Sequence, residues 1–115
     1  MKRIKAGAVV LALLLGFSTF AADDMWLIGK WELSYDSDGN PKDWLEFAAE
    51  GRAYSITPQG RRIPGRYTLK DSQIEVKYSF EGKMIPVTIR FSANKDLLLV
   101  YSAKTKNTSQ YRKAK

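Results

Sequence analysis

Two stretches in the second half of the chain alternate apolar and polar residues without a break. In Ile74-Glu75-Val76-Lys77-Tyr78-Ser79-Phe80 every apolar side chain falls on one face, and Ile85-Pro86-Val87-Thr88-Ile89-Arg90-Phe91 repeats the pattern. A period of two with a polar opposite face is the mark of a half-buried strand, because successive side chains leave a strand on opposite sides. Strands of this kind need a sheet with one face on the core and one in water, which antiparallel sheets supply. Pro86 falls on the outward face near a strand start, where a missing N–H is tolerated.

Turn signals cut the rest of the chain at short intervals: Asp36-Ser37-Asp38-Gly39-Asn40-Pro41, Glu50-Gly51, Pro58-Gln59-Gly60, Asp71-Ser72, Glu81-Gly82, Asn94-Lys95-Asp96 and Lys106-Asn107. The segments between them are rich in aromatic and β-branched residues, the composition of strands. The reading is eight strands, at about 26–35, 42–49, 52–57, 63–69, 73–80, 84–91, 97–103 and 108–113. The only helical candidate, Asp43 to Glu50, is short and is followed by Gly51. Short connections favour an up-and-down meander, and eight meander strands can close into a barrel with no open edge. The expected fold is therefore all-β, a small up-and-down antiparallel barrel. Leu97-Leu98-Leu99-Val100-Tyr101 is continuously apolar. It reads either as a strand buried on both faces or as one with an exposed contact patch.

The N-terminus carries a different signal. Lys2, Arg3 and Lys5 precede an apolar run from Ala6 to Phe17, and Ser18-Thr19-Phe20-Ala21-Ala22 follows. A basic start, a short apolar stretch and small residues at the end describe a secretory signal peptide. Cleavage after Ala21 places small residues at the two specificity positions, so the expected division is a signal peptide at 1–21 and a barrel domain at 22–115. The apolar run falls short of the ~20 residues a spanning helix requires. The chain has no cysteine to accept an N-terminal lipid. The expectation is a periplasmic or secreted protein, not a lipoprotein, with no transmembrane segment in its mature form.

Removing residues 1–21 takes three of the 19 basic residues and none of the 12 acidic ones, which lowers the net charge from +7 to +4. Much of the basic character therefore belongs to targeting, and no nucleic-acid partner is required. The chain has neither His nor Cys. That removes the usual general base, the thiol nucleophile and the commonest zinc and haem ligands. No Gly-x-Ser-x-Gly elbow is present. Asp36, Asp38 and Asn40 have the 1-3-5 spacing of a calcium loop, but Pro41 and Phe47 stand where glycine and glutamate are needed, so the segment reads as a turn. Glu32, Glu46 and Glu50 have no fixed separation that would make a carboxylate pair. The expectation is a non-enzyme without metal or cofactor.

Gly29-Lys30-Trp31 lies at the start of the first strand. It resembles the Gly-x-Trp signature of the lipocalin-like superfamily. The rhythm of Leu45-Glu46-Phe47, Gly51, Tyr54, Gly65-Arg66-Tyr67, Ile74-Glu75-Val76 and a terminal Tyr111-Arg112 is similar to that of small exported bacterial domains of that kind. The resemblance implies that Trp31, with Gly29, closes one end of the barrel and packs against a basic residue late on the last strand, which here is Arg112. It further implies a binding protein. The ligand-binding candidates are Phe47, Tyr54, Tyr67, Tyr78, Val87 and Ile89. Arg61, Arg62 and Arg66, the densest cationic cluster, are candidates for an anionic partner or for a solvated face. Two mechanisms stay open: a small hydrophobic ligand inside a hollow barrel, or an envelope protein bound by the surface of a filled one, in an inhibitor or immunity role.

Overall fold

The computed structural model describes residues 24–114, so the expected signal peptide at 1–21 lies outside the described residues, as does Lys115. Eight strands form one antiparallel barrel: β1 (Gly29–Tyr35), β2 (Trp44–Ala48), β3 (Arg52–Ile56), β4 (Arg62–Leu69), β5 (Gln73–Phe80), β6 (Lys83–Phe91), β7 (Leu98–Ser102) and β8 (Asn107–Lys113). Each strand pairs with the next, and β8 returns to pair with β1, closing the sheet. This closed up-and-down architecture is compatible with a lipocalin-like fold. Among the described residues no helix is long and apolar enough to cross a membrane.

Local chemistry explains the elements. Along β5 Ile74, Val76 and Tyr78 are buried while Glu75, Lys77 and Ser79 are exposed, as the alternation requires. The β5–β6 hairpin turns on two residues, Glu81 at φ 50° and Gly82 at φ 77°. Positive φ at both central positions is the backbone whose twist matches a tight hairpin. Ser34 is an extra residue between the pairs Leu33–Tyr111 and Tyr35–Gln110, a bulge that its hydroxyl spans by donating to the Gln110 carbonyl at 3.1 Å. Asp36 closes the β1–β2 loop on itself, accepting from the Asp38 N–H at 3.0 Å and the Asn40 side chain at 2.8 Å.

One detail departs from the sequence reading, and two that it left open are decided. Residues 26–28 do not extend β1. Leu27 and Ile28 donate to the Asp24 carbonyl in a turn that folds beneath the barrel, because Trp26 and Leu27 have apolar surface to bury there. The Asp43–Glu50 segment is strand β2 followed by a short 3-10 turn, Ala49–Gly51, where Glu50 (φ 65°) and Gly51 (φ 73°) reverse the chain. In the apolar run of β7, Leu98 is fully buried and Val100 faces the interior, whereas Tyr101 points outward and is 58% exposed.

Strand pairing also sets where the barrel is weakest. The β6–β7 ladder covers only Ile89–Phe91 against Leu98–Val100. Lys83–Thr88 therefore run on without a partner on that side. Lys83 and Pro86 blunt this free edge as a template for another chain.

Candidate functional site

The two ends of the barrel are built differently. At one end the Trp31 indole is buried, donating from Nε1 to the Leu27 carbonyl at 2.9 Å. Trp26 packs edge-on against Trp31, with ring centroids 6.2 Å apart, and tilted at 58° against Phe91, at 5.0 Å. Phe47 and Tyr67 make a second edge-on pair at 5.2 Å, and the Tyr67 hydroxyl donates to Asp24 at 2.9 Å. These contacts tie the N-terminal turn to the barrel floor and close that end.

The basic residue over Trp31 is Lys113, not Arg112. The Lys113 ammonium lies 5.0 Å from the indole centroid and donates to the Trp26 carbonyl at 2.7 Å. Burial lowers its pKa. The register explains the correction: Trp31 stands opposite Lys113, so the two share the inner face, and Arg112 is turned to the outside by the period of two. Arg112 instead approaches Asp96, at 3.8 Å. Gly29 makes room for the lysine, since a Cβ there would meet Lys113 Cε at 2.7 Å.

The opposite end is hollow. A cavity of about 280 Å3 is lined by Leu45, Ser55, Ile63, Tyr78, Phe80, Ile85, Val87, Ile89, Val100 and Tyr111. It falls just below the ~300–1,000 Å3 of typical small-molecule sites and shares their character, apolar walls with a few polar groups. Ile85 and Val87 of its β6 wall lie in the stretch left unpaired by β7, so Ile85 is 42% exposed although it faces inward.

Three hydroxyls belong to this end. Tyr111 donates to Asp43 Oδ1 at 2.8 Å. Burial drives its phenol pKa up, and the Asp43 charge adds to the shift. Burial also raises the Asp43 carboxyl above its ordinary range, against the lowering effect of the Tyr111 hydrogen bond. Ser55 contributes the second hydroxyl. The third, on Tyr78, is buried and has no hydrogen-bond partner among the described residues. Its phenol pKa is likewise raised, by burial first and the Asp43 charge second.

Of the six ligand candidates, Tyr78, Val87 and Ile89 line the cavity. Phe47 and Tyr67 face inward but belong to the closed end. Tyr54 is on the outer face, because it stands opposite Glu46 and Pro64, and the Arg62 guanidinium lies 4.1 Å from its ring centroid. Phe80 and Ile85 were recoverable, since each continues the apolar face of a run already read from the sequence. Ser55 and Tyr111 carried no such signal, being polar residues on short or polar strands.

The arginine cluster is dispersed. Arg61 lies at the rim, 4.7 Å from the Phe80 ring centroid; Arg62 pairs with Glu46 at 2.9 Å; Arg66 donates to the Glu50 carbonyl at 2.9 Å. The structure builds another cationic group in its place. Arg52, Arg66 and Lys77 stand side by side on the outer face of β3, β4 and β5. The acids Glu32 and Glu46 are outside the barrel with Lys42 and Arg62 as partners. Among the described residues no three His, Cys, Asp or Glu side chains gather as a metal site.

No protein-family model matches the chain, and neither the curated proteins nor the solved structures compared with it yield a match.

Proposed function

We propose that this chain is an exported, non-enzymatic binding protein of the lipocalin-like superfamily that holds a small hydrophobic ligand inside its barrel. The observation that carries the reading is the asymmetry of the two ends: one is stopped by Trp26, Leu27 and Trp31, and the other keeps an apolar cavity of about 280 Å3. A domain this small gains stability from filling its core, and a well-packed interior leaves few voids larger than a water. A retained apolar space therefore has a use for the protein. Passage into it is available at the rim and along the free stretch of β6. The basic, apolar and small-residue order of residues 1–22 supports delivery to the periplasm or the outside.

The test is native mass spectrometry of the protein purified gently from the cell envelope, together with titration by an environment-sensitive apolar dye. The expected result is a small co-purifying mass that is lost on denaturation and one saturable dye site. Val87→Phe fills the cavity and abolishes dye binding while near-ultraviolet circular dichroism remains that of a folded protein. A bare polypeptide mass with no dye binding refutes the reading, and a second polypeptide in the mass would move the function to the surface.

A further inference from the structure

Resting on that reading, we infer that the cavity selects an uncharged apolar molecule carrying one hydrogen-bond acceptor, to which the Tyr78 hydroxyl donates. Tyr78 is 6% exposed and lines the cavity, and its hydroxyl has no partner among the described residues. A buried hydroxyl without a partner costs free energy that an incoming acceptor recovers.

The residue is also built into its position. Gly65 stands opposite Tyr78 in the β4–β5 ladder, and a Cβ at residue 65 would meet Tyr78 Cδ1 at 2.7 Å and the Lys77 carbonyl oxygen at 2.8 Å. The ring thus occupies space that only glycine leaves open. Tyr111, the other phenol of the cavity, already donates to Asp43, and Ser55 is only half-buried, so Tyr78 carries the buried hydroxyl that a ligand would satisfy.

Charge argues for a neutral guest. Burial first and the Asp43 carboxylate second keep Tyr78 protonated as a donor, and the same carboxylate, which acts on both phenols, opposes an anion. The Arg61 guanidinium over Phe80 at the rim opposes a cation.

Butylbenzene, butyrophenone and phenylbutyrate form a matched set that differs in the polar group alone. Isothermal titration calorimetry of each against the purified protein and Tyr78→Phe tests the inference. The expected result is that butyrophenone binds about three- to tenfold more tightly than butylbenzene, the range of one neutral hydrogen bond, and that Tyr78→Phe erases the ratio. Thermal melting verifies that the variant is folded. A ratio near one in the unsubstituted protein, or the same ratio in Tyr78→Phe, overturns the role of Tyr78 while leaving the hollow barrel standing. Phenylbutyrate binding most tightly overturns the preference for a neutral guest and moves recognition to Arg61. Failure of all three probes to bind overturns this inference and the cavity reading together.

Discussion

The Lys113 ammonium sits over the Trp31 indole at 5.0 Å because the two residues are register partners on β8 and β1. The first strand and the last are thereby joined at the floor of the barrel, at the one seam where the sheet must close on itself. Lys113 also holds the Trp26 carbonyl, so a single side chain fastens the seam to the turn that stops it.

Truncation should separate these roles. Trp31→Ala removes a fully buried indole and is expected to cost about 3–5 kcal/mol in denaturant unfolding. Lys113→Ala loses a partly exposed cation–π contact worth about 0.5–1 kcal/mol. Arg112→Ala, on the outside, should stay within about 0.5 kcal/mol of the parent. A larger loss for Arg112→Ala than for Lys113→Ala would reverse the assignment.

The row of Arg52, Arg66 and Lys77 places like charges directly opposite one another on adjacent strands, an arrangement that works against the sheet. Lys77→Glu replaces repulsion of Arg66 by attraction. It is expected to raise stability by about 0.2–1 kcal/mol at low ionic strength and to lose most of that gain in molar salt. Unfolding midpoints of the two proteins at two salt concentrations provide the measurement, and a salt-independent change would mean that packing, not charge, was altered.

Asp43 is a carboxyl whose pKa is raised in the folded barrel by burial, so between its ordinary range and the raised value the folded state binds more protons than the unfolded one. The burden of keeping it ionised is complete above the raised value and is relieved as pH falls through it. Glu32, Asp36 and Glu75 act in the opposite direction, each held low mainly by hydrogen bonds that are weakened on acidification. They are common to the parent and to Asp43→Asn, whose amide oxygen can still accept from Tyr111. The stability of the parent relative to Asp43→Asn should therefore rise as pH is lowered from 7 through the carboxylate range. A difference that is flat with pH, measured by urea unfolding, would mean that Asp43 is not under strain.

By itself the amino-acid sequence determined the strand number, the order of the strands and the sidedness of the best of them. Ile74–Phe80 and Ile85–Phe91 could be read because alternation is a local property, and Glu81-Gly82 marks a tight turn by the backbone freedom of glycine. The proposed export signal rests on the same kind of local pattern, the cations and apolar run of residues 1–22. Tertiary structure alone decided the rest. Whether Lys113 or Arg112 meets Trp31 depends on the β1–β8 register, a pairing between residues at opposite ends of the domain, and one residue of slip exchanges the inner face for the outer. That same parity put Tyr54 outside. Strand tilt and depth then sent Phe47 and Tyr67 to the floor and Tyr78, Val87 and Ile89 to the cavity, although all five read alike as inward apolar positions. Whether their side chains meet across the barrel or leave a space is a sum over all eight strands, and no short stretch of sequence contains it.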